Sequence, residues 1–385
     1  MRRFCVLCLL FYSFFLLAQE EAIEAKQVQE KYENALQRIT HQRNWPAEKE
    51  LKKYIVLFAP GFLSNSFTET FLEYCIKQDI PDSVKLALQK FLPEKIKQLR
   101  LGDYYHDQIK FLQSKGIESC FLKFESEADP QTNALDILKQ LMAKTSHKKA
   151  ILITHSKGGV DTGVALCGWM QLQLGMEKES NSLKDQNFLS QVKNIVCYQG
   201  IFYKLEDRVA GWVAQESAFR GSPIADAVVK GNSAFSGLAY ALLRFLGGNE
   251  KSLLSLVQET RQQWIQKNKQ YLQNVVQTIP TISVCAYKKN PDGIYSLGDA
   301  VLKLKIKEYF DTFLAPVRNF MHKDGIDSDG LVPWKNAIID GSEYIVFDNM
   351  DHAAPVMDNL VSNIDRIQFL KTLLQMVLDE KLLEK

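Results

Sequence analysis

Short runs of apolar residues recur along the chain and alternate with longer segments in which apolar residues are spaced three or four positions apart. A continuous apolar run of about four to eight residues is typical of a strand buried on both faces of a sheet. Six such runs predict strands at Tyr54–Ala59, Ser119–Phe124, Ala150–Thr154, Asn194–Tyr198, Thr281–Tyr287 and Glu343–Phe347.

Helical spacing of apolar residues fills much of the sequence between these runs. It predicts helices at Asp103–Ser114, Asn133–Met142 and Asn359–Leu378, with Gly116 ending the first of them. Strands that alternate with helices predict an α/β protein with a mostly parallel, doubly wound sheet and right-handed crossovers. Because such sheets bind ligands at the carboxyl ends of their strands, the chemistry is expected there.

Two segments interrupt this alternation and are predicted to be helical insertions. Residues 66–102 follow the first strand, and residues 229–279 include the apolar stretch Ala234–Leu246. That stretch is too short to span a membrane, and it is either a mobile lid or a buried helix of the body. The predicted organisation is a signal peptide over 1–18, an N-terminal helical extension over 19–50 and one α/β domain over 51–385.

The N-terminus has the layout of a secretory signal. A basic Met1–Arg3 precedes the run Phe4–Ala18, which is apolar except for Ser13, and acidic sequence follows. An export signal therefore predicts a periplasmic or secreted protein, with an uncleaved N-terminal anchor as the alternative.

Charge and cysteine content exclude some classes of partner and cofactor. Lys and Arg number 47 against 45 Asp and Glu, and loss of Arg2 and Arg3 with the signal would balance them. No nucleic-acid partner is therefore expected, since such proteins need a basic surface. Of the seven cysteines, Cys5 and Cys8 lie in the signal, and the other five show neither disulfide nor zinc spacing. We expect no metal and no cofactor.

The most informative stretch is the predicted strand that ends in Thr154-His155-Ser156-Lys157-Gly158. A serine at a sharp turn from a buried strand into a helix has its hydroxyl exposed, and the turn requires small residues two positions before and after it. Gly158 meets the requirement after the serine, whereas Thr154 stands where glycine is usual. Ser156 is thus a candidate nucleophile, and the alternative is a serine that caps an ordinary turn.

On these residues the chain resembles the α/β-hydrolase superfamily, most of all its bacterial lipase and polyester depolymerase branch, over roughly residues 50–378. The resemblance implies an oxyanion hole made by the backbone N–H groups of Lys157 and Phe62, the latter in Pro60-Gly61-Phe62. Lipase-like proteins often have His-Gly-x there, so Pro60 departs from the pattern. A plain Pro-Gly turn is the alternative.

The acid and the base of a triad are sought after the serine, in that order. His352 directly follows the predicted strand Glu343–Phe347 and is the candidate base, while His322 precedes the candidate acid. Asp329 lies in Asp329-Gly-Leu-Val-Pro, which resembles the element of lipase-like hydrolases whose Asp orients the histidine. Asp327 and Asp292 are its rivals.

The resemblance implies a serine hydrolase of the lipase or esterase kind, with Ser156, Asp329 and His352 as catalytic triad. The expected substrate is a lipid or other hydrophobic ester, met through transient contact with a membrane or lipid surface. Nothing in the sequence indicates an oligomeric state. An acyltransferase would use the same residues, and a hydrolase-like binding protein without catalysis is the second alternative.

Overall fold

The computed structural model describes residues 25–41, 45–61, 104–125, 127–176, 182–231, 250–289, 309–357 and 364–383. The predicted signal 1–18, the insertion 66–102 and the apolar stretch 234–246 lie outside the described residues.

Six strands form the central sheet: β1 Tyr54–Ala59, β2 Glu118–Phe121, β3 Lys149–His155, β4 Val209–Gln215, β5 Thr281–Tyr287 and β6 Glu343–Asp348. Twelve helices are described: α1 over residues 25–41, α2 Glu48–Leu51, α3 His106–Ser114, α4 Pro130–Lys144, α5 Lys157–Gln173, α6 Leu183–Val196, α7 Leu205–Arg208, α8 Pro223–Lys230, α9 Glu250–Leu254, α10 Gln258–Thr278, α11 Tyr309–Lys323 and α12 Arg366–Leu383.

The strands lie in the order β2-β1-β3-β4-β5-β6, and every neighbouring pair is parallel. All six carboxyl ends therefore lie at one edge of the sheet. The chain runs from β1 outwards to β2, returns to β3 beside β1 and then continues to the other side. The α/β class and the parallel, doubly wound sheet predicted from the sequence are confirmed.

The sheet is buried on both faces, as its apolar runs predict. In β1, Ile55 and Leu57 belong to a core cluster that includes residues of α4, α5, α6 and α10. The alternate residues Val56 and Phe58 belong to a second cluster with residues of α1, α3, α11 and α12. Successive side chains of a strand point to opposite faces, so each strand contributes to both cores.

The prediction of a strand at Asn194–Tyr198 is wrong. Residues 194–196 are the last turn of helix α6, and only Cys197 and Tyr198 pair, antiparallel, in a two-residue hairpin with Ile201–Phe202. Ser182 caps this helix by accepting the backbone N–H of Asp185. The apolar residues at the end of α6 continue a helical spacing of buried positions, at Phe188, Leu189, Val192 and Val196.

The central strand β4, Val209–Gln215, was not predicted from the sequence. It is buried at all seven positions and pairs with β3 and β5. A glycine inside a strand weakens its sequence signal, but Gly211 is required by packing. A Cβ there would lie 2.4 Å from Cγ1 of Val377 in α12, so the absence of a side chain lets that helix approach the sheet.

The described ends of the predicted insertion 229–279 fit the ordinary α/β alternation. Helix α10 occupies 258–278, packs against α5 and leads directly into β5. Its residues therefore belong to the body of the domain, and the candidate lid is not among them.

Helix α1, within the predicted N-terminal extension, is attached to the last strand and the last helix. The Tyr32 ring packs edge-on against Phe347, and Lys31 pairs with Glu343 and, at 2.7 Å, with Glu380. In the described part of the chain, no helix combines the length and the apolar character needed to cross a bilayer.

Candidate active site

Ser156 lies at the sharp turn between β3 and α5, in a backbone conformation that residues with a side chain rarely adopt. Its φ is 52° and its ψ is −129°, and its N–H donates to the Gln215 carbonyl at 2.9 Å. Helix α5 starts at the next residue and is buried at every position from Lys157 to Leu172. This geometry is that of a nucleophile elbow, in which strain exposes the serine hydroxyl.

Threonine in place of the usual glycine at position 154 is accommodated by hydrogen bonds. The Thr154 hydroxyl accepts the indole N–H of Trp212 at 2.9 Å and donates to the Val213 carbonyl at 3.3 Å. Both partners lie in the neighbouring strand β4. These hydrogen bonds hold the Thr154 side chain against β4, so the turn at Ser156 forms with threonine in place of the usual glycine.

The structure brings the three predicted residues together. The Ser156 hydroxyl lies 2.9 Å from Nε2 of His352, and Nδ1 of His352 lies 2.7 Å from Oδ2 of Asp329. Since Nε2 accepts from the serine, Nδ1 carries the ring proton and donates it to the carboxylate. The exposed fractions of Ser156, His352 and Asp329 are 9%, 6% and 1%, so their hydrogen bonds are largely shielded from water.

The loops that carry Asp329 and His352 are joined at the carboxyl end of β5. The Lys288 N–H donates to the Ser328 carbonyl and the Met350 N–H to the Tyr287 carbonyl. The backbone N–H of His352 donates to the Asp329 carbonyl at 3.1 Å. The relative position of Asp329 and His352 is therefore fixed by the main chain as well as by their side chains.

The Asp329 carboxylate is oriented by its own loop. Its Oδ1 accepts the N–H groups of Leu331 and Val332, both at 2.8 Å. This leaves Oδ2 for His352. Of the rival acids, Asp327 pairs at 3.1 Å with the exposed His322, and Asp292 lies outside the described residues.

The structure describes only one of the two predicted oxyanion donors. Phe62 lies outside the described residues, but the preceding Gly61 lies directly against Ser156, because a Cβ on it would be 2.7 Å from the Ser156 Cβ. Lys157 is the first residue of α5, where backbone N–H groups have no partner within the helix. Such a helix start attracts negative charge.

The Lys157 side chain forms a buried ion pair that the sequence reading did not include. Its Nζ lies 2.9 and 2.8 Å from the two oxygens of Asp161, one turn further along α5, and Asn133 donates to the same carboxylate at 2.7 Å. Burial raises the pKa of Asp161, while the charge and hydrogen bonds of Lys157 oppose that shift. The sequence signal for this ion pair was the spacing of four residues between Lys157 and Asp161, which lie one turn apart in a helix.

We expect Lys157→Met to destabilise the protein by about 3–5 kcal/mol, because it leaves the Asp161 carboxylate buried without its partner. Urea unfolding would measure the loss. Lys139→Met, which breaks the surface pair with Asp136, is the matched control and should cost less than about 1 kcal/mol. Equal losses for the two variants would contradict the assignment. The double variant Lys157→Met with Asp161→Leu should regain most of the stability.

His155 links Tyr104 to the backbone of His352. The carbonyl oxygen of His352, which faces Nε2 of His155, can only accept, so Nδ1 of the neutral His155 ring accepts the Tyr104 hydroxyl proton, at 2.5 Å. The ring of His155 then carries its proton on Nε2, which donates to the His352 carbonyl at 2.8 Å. Burial, and secondarily the nearby His352, hold the pKa of His155 well below its ordinary value, so its ring is neutral.

A second buried carboxyl group, that of Glu216, lies close to His352. Its Oε2 is 3.2 Å from Nε2 of His155 and 3.9 Å from Nδ1 of His352. Burial is the main cause that raises its pKa well above the ordinary value, and the carboxylates of Asp329 and Asp351 add to it. The sequence reading missed Glu216 because it missed β4, the strand whose carboxyl end carries this residue.

Hydrogen bonds account for the grouping of His155, Glu216 and His352. One possible metal-ligand atom of each residue lies within 4.8 Å of those of the other two, a spacing that would allow the three residues to bind a metal ion. The atoms that face one another, Nε2 of His155, Oε2 of Glu216 and Nδ1 of His352, each already have a hydrogen-bond partner named above. We therefore assign hydrogen bonding to this cluster.

Comparison with known proteins supports the fold. No family model matches the chain, and no curated protein matches it. Among solved structures, the metagenomic carboxyl esterase MGS0156 is 17% identical with a TM-score of 0.51, over 86% of this chain and 76% of that one. The mature lipase BlEst2 of Bacillus licheniformis is 16% identical with a TM-score of 0.49, over 84% and 92%. The Staphylococcus hyicus lipase is 11% identical with a TM-score of 0.46, over 86% and 97%.

At such low identity the likeness to the esterase bears on architecture alone. Together with the parallel sheet and the turn at Ser156, it confirms the predicted fold class. The chain has the α/β-hydrolase fold.

Proposed function

We propose that this protein is a serine hydrolase that cleaves a carboxylic ester through an acyl-enzyme on Ser156. The observation that carries the proposal is the continuous contact from the Ser156 hydroxyl through His352 to Asp329, at 2.9 and 2.7 Å. A fold hosts many activities, so the chemistry is inferred from this arrangement of side chains.

In the first half of the reaction, Ser156 attacks the ester carbonyl while Nε2 of His352 takes its proton. The carbonyl oxygen becomes negative in the tetrahedral intermediate. In the proposed mechanism, the backbone N–H groups of Phe62 and Lys157 donate to that oxygen. Asp329 accepts from Nδ1 and stabilises the imidazolium that has formed. The C–O bond then breaks, and His352 gives its proton to the leaving alcohol.

In the second half, water replaces the alcohol. His352 removes a proton from this water, the resulting oxygen attacks the acyl carbon, and the second tetrahedral intermediate expels the Ser156 oxygen. His352 returns the proton to Ser156 and the acid leaves. A positively charged His352 is needed in both halves, and the buried Asp329 serves each of them.

The substrate class proposed is a lipid or another hydrophobic ester. Support comes from the aromatic content of the chain, 11%, and from the apolar stretch 234–246 in a segment that follows β4. A hydrophobic acyl chain gains about 0.8 kcal/mol for each CH₂ group that is transferred from water to an apolar surface. Rates that rise with acyl length are therefore expected.

The test is hydrolysis of p-nitrophenyl esters with acyl chains from two to about sixteen carbons, a series over which apolar burial grows steadily. We expect turnover that depends on acyl length, with an optimum that separates an esterase from a lipase. Adding a primary alcohol as acceptor distinguishes transfer from hydrolysis. Predominant formation of the new ester in water would favour an acyltransferase, and inertness on the whole series would favour a binding protein.

A further inference from the structure

Glu216 is held at the centre of the site by main-chain contacts on both sides. It directly follows β4, which lies in the sheet between β5 and β3, the strand that precedes Ser156. Its N–H donates to the Val284 carbonyl at 2.7 Å, while the carbonyl of the preceding Gln215 accepts the Ser156 N–H. Its φ of 48° is unusual for a residue with a side chain. The backbone therefore aims this carboxylate at the base.

The Glu216 carboxylate is only partly used in its present surroundings. Oε2 lies 3.2 Å from His155, whose Nε2 proton also has the better-placed His352 carbonyl at 2.8 Å. Oε1 has no hydrogen-bond partner among the described residues, although Glu216 is fully buried. Burying an unsatisfied polar atom costs about 1–3 kcal/mol, so packing alone does not explain a glutamate at this position.

Glu216 and Asp329 approach the same atom of His352 from two directions. Asp329 is already in contact with Nδ1 at 2.7 Å, whereas Glu216 is 3.9 Å away. A shift of about 1 Å would bring Oε2 of Glu216 to hydrogen-bond distance. A glutamate has three rotatable side-chain bonds with which to make that shift.

We propose that Glu216 is a second positioning residue of the base, able to orient His352 and stabilise its imidazolium when Asp329 does not. This inference rests on the proposed serine hydrolase function. In the wild-type protein Asp329 performs the role. With the Asp329 carboxylate removed, Glu216 moves onto Nδ1 and keeps the ring in the productive tautomer.

Glu216 can take over the role of Asp329 only at a pH at which its carboxyl group is ionised. Asp329 is one of the causes of its raised pKa, so removing Asp329 makes ionisation easier. Only the ionised form serves His352 fully, and activity that depends on Glu216 should therefore rise with pH. The titratable groups that face Glu216 from the surrounding elements are Tyr104, Tyr105, His155, Cys285, Asp329, Asp351 and His352.

The experiment compares wild type, Glu216→Gln, Asp329→Ala and the double variant between about pH 6 and about pH 9, a range in which a raised carboxyl pKa is visible. Two rates are measured: covalent labelling of Ser156 by a fluorophosphonate, and ester hydrolysis. We expect Asp329→Ala to retain a rate that increases with pH. Glu216→Gln should cost at least about tenfold more in the Asp329→Ala background than in wild type.

The outcomes separate the two proposals. Suppose that the wild type is labelled at Ser156, but that Asp329→Ala and the double variant have equal rates and equal pH profiles. This result would overturn the role of Glu216 and leave the proposed hydrolase function intact. Wild type that is not labelled at Ser156 would overturn the hydrolase and, with it, this inference. Thermal unfolding checks each variant. Asp329→Ser, whose hydroxyl can still accept a loop N–H, replaces Asp329→Ala should the latter not fold.

Discussion

Ser156→Ala is expected to lower kcat of ester hydrolysis by about five to six orders of magnitude. The alanine variant has no hydroxyl to attack the carbonyl, and His352 has no nucleophile to deprotonate. The change removes one atom from a side chain that is 9% exposed, so the fold should be retained and substrate binding little affected. Initial rates on the best p-nitrophenyl ester, with thermal unfolding alongside, measure the effect.

Ser119→Ala is the matched control. Ser119 is also buried, but it lies on the edge strand β2 and its hydroxyl donates to the Ile109 carbonyl. We expect it to lose no more than about 1 kcal/mol of stability and to keep a kcat within about twofold of wild type. A Ser156→Ala protein that hydrolyses esters as fast as this control would rule out the acyl-enzyme on Ser156.

Gly158→Ala is expected to destabilise the protein by about 3 kcal/mol and to lower kcat by about 10²- to 10³-fold. An added Cβ would lie 2.1 Å from the Pro60 carbonyl oxygen and 2.8 Å from the Ala59 carbonyl oxygen. These are main-chain atoms at the end of β1, so relief requires the loop at Pro60-Gly61 to move. That loop leads to the proposed oxyanion donor Phe62, and its displacement should weaken stabilisation of the transition state. Urea unfolding and steady-state kinetics measure the two effects.

Gly168→Ala tests whether any alanine in α5 has this effect. Its Cβ would lie 2.8 Å from a ring carbon of Phe188, a side chain that can turn, and no backbone atom is among its nearest neighbours. Alanine also favours the helix by about 1 kcal/mol relative to glycine. The loss of stability should therefore be smaller and kcat close to wild type. If both variants lost activity alike, crowding of α5 in general would explain the result better than displacement of the loop.

Five of the six strands of the sheet were predictable because each is a continuous apolar run between polar segments. The sixth, β4, was missed in favour of Asn194–Tyr198. The latter is apolar because it ends an amphipathic helix, a distinction that a five-residue window cannot make. The glycine in β4 weakens the local signal, and its reason is a contact with Val377 more than 150 residues later in the chain. Contacts of this kind are invisible to local patterns.

In the candidate site, sequence reasoning could reach residues with a local signature. Ser156 has its turn, and Asp329 and His352 have the order and location expected after it. Glu216 and Tyr104 have no such signature, since their proximity to the base depends on how strands and loops are arranged in space. Asp161 was closer to being predictable, because it is one helical turn from Lys157. The sequence therefore allowed prediction of contacts between residues close together in the chain. It did not allow prediction of contacts between residues that only the arrangement of strands brings together.

The closeness of Gly61 and Tyr104 bears on how strongly the stability of the domain depends on the length of chain between them. These residues flank positions 62–103, and a Cβ built on Gly61 would lie 2.8 Å from the Tyr104 hydroxyl, so the body of the domain holds both ends within one side chain's reach of each other. The entropy of closing such a loop depends only weakly on its length. Reducing the segment from 42 residues to about ten would change that free energy by about 1.2 kcal/mol. A shorter connection between Gly61 and Tyr104 would therefore cost little loop-closure entropy, provided that Gly61 stays beside Ser156 and Tyr104 beside His155.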